Sequence, residues 1–331
     1  MRFTLSTEQQ DFAASLRRLL TDAKTPDVIR AWGAGDHETG TALLRRLADA
    51  GVTALAIDDE FGGLGAHPVD LAVSFVELGR AGVPGPLVES AAALPALLQA
   101  LPDRSPAQKW LPGIADGSTT ASLVLPPAVP RALDGDIADV VFAVTDSGVH
   151  TATITDLVVS VDRARRLFDV SAADALADSA TDAANRAFDH GALACAAQLL
   201  GAGEAVLDRS TDYVRNRVQF GRAIGQFQAI KHHLADAKVA LDMAAPLLFG
   251  AAVAIAADSP TAARDVSAAK VACGDAAYLA SREALQVHGA IGYTAEYDLS
   301  LWLTKIRALV TAWGTPAVHR SRIADSLRGA S

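Results

Sequence analysis

The second half of the chain constrains the fold most: four Ala/Leu-rich stretches, residues 183–216, 227–257, 260–287 and 301–328, carry apolar residues at helical spacing. Runs of roughly 30 residues span about 45 Å at a rise of about 1.5 Å per residue. Helices that long, apolar beyond a single stripe, pack into a bundle or against another subunit. The spacing therefore predicts a C-terminal four-helix bundle over residues 183–331 and an oligomeric protein.

Upstream the pattern is also helical. Ser6 or Thr7 can cap a helix over 8–20, and an amphipathic stretch covers 41–50 until Gly51 stops it. The segment VTALAIDDEFGGLG makes a tight glycine-rich turn before a helix at 69–79, and a further stretch at 90–101 is kinked or restarted at Pro95. From Thr120 the period changes. TASLVLP, DVVFAVTD, VHTATITD and LVVSVD are short, rich in β-branched residues and separated by turn formers, as strands are. The fold class that follows is mainly α with a small β domain: an N-terminal helical domain (1–115), a β domain (116–182) and the bundle (183–331).

Composition removes several classes of function. A net charge of −9 leaves no positive footprint for nucleic acid, and the only dense basic stretch, Arg163, Arg165 and Arg166, reads as a solvated turn. Cys195 and Cys273 lie far apart in Ala-rich helices, as small buried hydrophobes do. No signal-like segment opens the sequence and no uninterrupted apolar stretch of about 18 residues occurs, so a cytoplasmic protein outside the membrane is expected. His232 and His233 are adjacent and diverge by about 100° on a helix, so no metal site is expected.

The most informative segment is YVRNRVQFGRAIGQFQAIKHHLA at 213–235, joined by QVHGAIGY at 286–293. A fixed guanidinium suits a diphosphate, an aromatic face suits an adenine, and a glycine admits close backbone approach. By spacing alone, Arg217 reads equally as a helix-end surface charge and Phe220 as a core residue. Together the segments resemble the C-terminal domain of acyl-CoA dehydrogenases, and VTALAIDDEFGGLG followed by DLAVSFVELGRA resembles their N-terminal domain. The resemblance implies FAD, with Arg217 on the pyrophosphate of a flavin held mainly by a neighbouring subunit and Phe220 on its adenine side. It also implies that Gln228, Gln286, Gly289 and, less directly, Thr315 contact the nucleotide.

The same resemblance exposes departures. The family's reaction needs a carboxylate to remove the proton α to a thioester, and many members carry it in a Y-E-G-T segment. Here that segment is Ala312-Trp313-Gly314-Thr315, and an indole nitrogen is a donor only. The alternative glutamate position, on an earlier helix, corresponds to Gly191, with Asp189 and His190 as titratable neighbours. The middle domain is reduced and lacks the family's flavin-ring segments.

The pattern resembles the short, base-lacking subunit of heteromeric α2β2-type acyl-CoA dehydrogenases of bacterial steroid and fatty-acid catabolism. Such a subunit shares FAD with a full-length partner and acts on an acyl-CoA that is steroid-derived in some members. The alternatives are a homomeric dehydrogenase using Asp189 or His190 as base, and a flavin-free scaffold.

Overall fold

The computed structural model describes residues 4–178 and 180–329. Three helices open the chain: α1 (Thr7–Asp22), α2 (Thr25–Gly33) and α3 (Glu38–Asp49). Ser6 caps α1, its hydroxyl accepting from the Gln9 N–H while the Gln9 side chain accepts from the Ser6 N–H. The nine-residue α2 is too short for apolar periodicity to reveal it. Next come α4 (Pro68–Ala81), a π-helical turn (Glu89–Ala93) running straight into α5 (Leu94–Gln99), and α6 (Ser105–Ala115). The helix is thus continuous through Pro95, and the irregularity expected there takes the form of the π-helical turn that immediately precedes the proline.

The sheet is made of β1 (Ala121–Val124), β2 (Ala132–Leu133), β3 (Val140–Thr145), β4 (Gly148–Val158) and β5 (Leu167–Asp178). Their order is β1-β3-β4-β5-β2, with β1 parallel to β3 and the other pairs antiparallel. Two expectations change here. Residues 157–162 form no separate strand, since Leu157 and Val158 merely finish β4. The long β5 arises from LFDVSAADALAD, whose Ala and Asp have weak strand preference, so pairing with β4 decides its conformation.

The bundle consists of α7 (Thr181–Asn216), α8 (Gln228–Ala256), α9 (Ala262–His288) and a fourth stretch that is two helices, α10 (Leu299–Thr311) and α11 (Pro316–Gly329). The predicted fourth helix is thus broken at residues 312–315. Among the described residues, α8 alone is long and apolar enough to cross a membrane by length and composition. It packs on α9 and α7 through Leu241, Ala244, Leu248 and Ala252, with Met243 and Leu247 outward. Both cysteines are free and buried, and burial pushes the Cys273 thiol up to about 12.

α7 is the axis of the molecule, because α4 crosses it at backbone contact. A Cβ on Gly79 would lie 2.1 Å from the Gln198 carbonyl oxygen, and one on Gly201 would lie 1.9 Å from that of Val76. Neither neighbour can yield without parting the helices. In an exposed helix, Gly→Ala stabilises by about 1 kcal/mol. Gly201→Ala is expected to reverse that sign and cost about 1–3 kcal/mol, read as a lower urea midpoint.

The sheet docks on the first domain through Trp32, whose Nε1–H donates to Asp134 Oδ1 at 3.2 Å in a fully buried setting. Burial pushes the Asp134 carboxyl from 3.8 up to about 7, against the pull of the Trp32 and Arg166 N–H donors. Between those pH values the folded chain holds a proton that the unfolded chain has released, so this group's stabilisation is complete below pH 3.8 and lost as pH rises through about 7. Asp134→Asn is expected to gain stability over the parent across that interval and keep the gain above it. Melting temperatures of the pair from pH 4 to 8 check this; a pH-independent difference contradicts it.

Candidate functional site

Arg217 sits at the C-cap of α7, and two short strands, β6 (Val218–Gln219) and β7 (Arg222–Ala223), lead from it to α8. Phe220 is at the turn with φ +54 and is 90% exposed, which excludes the core reading of this aromatic. Its nearest ring is Phe227, edge-on at 6.1 Å. The Arg217 carbonyl accepts from the Ile224 N–H at 2.8 Å, folding the hairpin back so that α8 begins beside it at Gln228. Among the described residues, the Arg217 guanidinium has no ion-pair partner.

The end of α9 joins the same surface. Tyr213, one turn before Arg217, stacks on His288 at 4.1 Å, and His288 immediately precedes Gly289, which has φ +64 and open space where a Cβ would project. Gln286 is exposed on the last turn of α9. Arg217, Phe220, Gln228, Gln286 and Gly289 therefore gather at one end of the bundle, as a cation, an exposed aromatic, two amides and a bare backbone. That donor set fits the diphosphate and adenosine end of a flavin dinucleotide.

Thr315 is not part of that group. It lies at the start of α11, where its hydroxyl accepts from the Val318 N–H at 3.3 Å. It follows Trp313, which packs on Gly191, and Gly191 is 26 residues before Arg217 on α7, roughly 40 Å along the helix.

The two positions at which the resemblance would place a base turn out to be one place. A Cβ on Gly191 would meet the Trp313 ring at 2.3 Å, so the indole occupies the space a side chain there would need. Trp313 is 2% exposed and holds φ +54, a costly conformation for a bulky residue. Its surroundings fix it in this state. Nε1–H donates to Glu89 Oε1 at 3.1 Å, and the Trp313 carbonyl accepts from His319 Nε2 at 2.9 Å.

Burial lowers His319 to about 4, so its ring is neutral; Nε2 carries the hydrogen, and Nδ1 can accept from the Ser267 hydroxyl at 3.2 Å. The carbonyls freed by the helix break are also satisfied, Leu309 and Val310 by the buried Lys270 ammonium and Ala312 by Cys195.

Glu89 was not singled out by the sequence reading, although a lone acid inside the apolar run LVESAAALPALL is a usable signal. Among the described residues it is the one acidic side chain lining a cavity of about 460 Å³ between the sheet and the bundle, together with Trp313, Arg131, Arg165 and Arg307. Burial pushes its carboxyl up, opposed by nearby Arg165. Glu89 is 1% exposed, with Oε1 on the indole and Oε2 shut in without a partner. A general base must reach its proton, and this carboxyl faces a tryptophan.

Asp189 and His190 do not take its place. They are turned about 200° and 100° from Gly191 around the helix, and neither lines the cavity. Arg322 on α11 holds Asp189 Oδ1 at 2.8 Å. His190 is driven to about 4 by burial, with Arg186 adding to the effect, and its Nδ1 is buried without a partner. His233 pairs with Glu283 at 2.8 Å, and no cluster of three metal-ligating side chains occurs among the described residues.

Residues 6–118 match the acyl-CoA dehydrogenase N-terminal domain and residues 181–328 the acyl-CoA dehydrogenase C-terminal domain. Acyl-CoA dehydrogenase IpdE2 of Mycobacterium tuberculosis is 34% identical over 309 residues, 90% of each chain. The chain belongs to the acyl-CoA dehydrogenase family, whose members are flavin-dependent oxidoreductases. The same fold is seen in the ChsE4-ChsE5 complex from M. tuberculosis, with a TM-score of 0.86 at 24% identity over 99% of both chains. It is seen again in the Tcur3481-Tcur3483 steroid acyl-CoA dehydrogenase, with a TM-score of 0.86 at 23% identity over 99% of both chains.

Proposed function

We propose that this chain is a subunit of a heteromeric, cytoplasmic acyl-CoA dehydrogenase and holds the nucleotide end of FAD for a full-length partner subunit. The partner supplies the flavin-ring pocket and the base that removes the α proton of an acyl-CoA. When bound, FAD supplies the acceptor for the β hydride. Arg217 holds the diphosphate, Phe220 covers the adenine side, and Gln228, Gln286 and the Gly289 backbone fix the rest of the nucleotide.

One contrast carries this reading: the nucleotide-end residues stand exposed and uncommitted, while the base position is filled by a buried, fully hydrogen-bonded indole. A homomeric dehydrogenase has no use for that plug. A scaffold has no use for an exposed Arg217 beside an exposed Phe220. A steroid-derived acyl-CoA is the substrate class we favour, on the family resemblance and the likeness to a steroid acyl-CoA dehydrogenase.

Turnover tests the reading. The chain alone, supplied with FAD, acyl-CoA and an artificial electron acceptor, is expected to show none, whereas co-expression with a full-length family member restores it. Turnover by the isolated chain that Glu89→Gln, Asp189→Asn or His190→Gln abolishes would overturn the reading.

A further inference from the structure

The face of α7 that ends at Arg217 carries a second cation. Arg209, Asp212, Tyr213, Asn216 and Arg217 fall at helical spacing on one stripe and, with Tyr297, line a single shallow recess of about 480 Å³. Asp212 Oδ1 lies 3.7 Å from Arg215 Nη1, so its charge is shared with a cation outside the recess.

Arg209 is held in place without being neutralised. Its guanidinium lies 3.8 Å over the Trp302 ring, and Trp302 is fixed by donating Nε1–H to the Arg80 carbonyl. The two carboxylates whose charge it feels are already committed, Asp298 to Arg30 at 2.6 Å and Asp208 to Arg80 at 2.5 Å. Among the described residues, Arg209 makes no hydrogen bond or ion pair, and its Nε is buried without a partner. A stacked guanidinium has lost most of its conformational freedom in advance, and Arg209 borders this recess as well as a second one beside Arg17 and Arg80. Arg217 stands two helical turns on, about 12 Å along the axis, and two long side chains from that spacing converge on a group lying between them.

We propose that the recess between Arg209 and Arg217 is a phosphoryl-binding site in which Arg209 is the second cation. Its ligand is a phosphoryl group of the flavin dinucleotide. This assignment rests on the nucleotide-end reading and adds Arg209, with Asn216 and the Tyr213 hydroxyl as neutral donors, to the groups that read it. Two guanidinium groups on one diphosphate give charge-assisted hydrogen bonds from both sides, so removing one weakens binding without abolishing it.

The test measures FAD dissociation from the co-expressed complex and the melting temperature of the isolated chain. Arg209→Gln is expected to weaken FAD binding about 10- to 100-fold and to leave the melting temperature of the isolated chain unchanged. Arg209→Lys, which keeps the charge but loses the planar stacking on Trp302 and the forked donors, is expected to recover only part of the affinity. If affinity and melting temperature fall together for both variants, Arg209 is only a packing residue and the proposal fails. It also fails if Arg209→Gln leaves FAD binding unchanged while Arg217→Ala weakens it. If both substitutions leave FAD binding unchanged, the nucleotide-end reading itself is wrong. A raised KM for acyl-CoA in Arg209→Gln with FAD binding intact likewise overturns the assignment of the recess to the flavin dinucleotide.

Discussion

Trp313→Ala is expected to lower the unfolding free energy by about 3–5 kcal/mol, the range for truncating a large aromatic in a core that cannot collapse around the space. Collapse is blocked on both sides, because Gly191 has no side chain to advance and the Trp313 carbonyl is tied to His319. The loss has a second source: Glu89 Oε1 would give up its donor while Oε2 already has none, leaving a buried carboxyl unsatisfied. Urea unfolding of the isolated chain measures the effect. A loss under about 1 kcal/mol would mean that the indole only visits this position and that the base site is not plugged.

Arg217→Ala is expected to act in the opposite way, with no effect on the isolated chain and a large one on the assembled complex. The side chain is exposed and without an ionic partner, so stability should change by less than about 0.5 kcal/mol. In a complex that shares its flavin, losing a charge-assisted contact to a diphosphate costs about 1.5–3 kcal/mol, or roughly 10- to 100-fold in FAD affinity. Phe220→Ala removes a nearly naked aromatic at positive φ and should behave alike at the adenine end. Parallel melting curves and flavin titrations separate the two effects.

Much of the architecture was legible because it rests on local chemistry. The Ser6 cap, the irregular turn ahead of Pro95 and the long helices of the bundle are each set by residues within a few positions of one another. What escaped depends on partners distant in sequence. β5 is a strand because β4 lies beside it, not because LFDVSAADALAD prefers to extend. The break at 312–315 is stabilised by Lys270, Cys195 and His319, from two other helices and the far side of the turn.

The candidate site divides similarly. Arg217, Phe220 and Gln228 come from one continuous segment, so their proximity could be read in advance. That Gly191 and Trp313 share one volume could not, since 122 residues separate them and only the packing of α10 against α7 and of α11 against α9 brings them together. Asp189 and His190 looked like substitute bases only because one helical residue is a small step in sequence and a large rotation in space. Glu89 stands 224 residues from its indole partner.

Flavin content tests the central claim most directly. The chain purified alone should be colourless after incubation with FAD and desalting, whereas the complex with a full-length family member should be yellow, with fewer flavins than chains and with that flavin lost on Arg217→Ala. Stoichiometric flavin on the isolated chain, or a flavin content in the complex that Arg217→Ala leaves untouched, would contradict a shared site built from this subunit's nucleotide end.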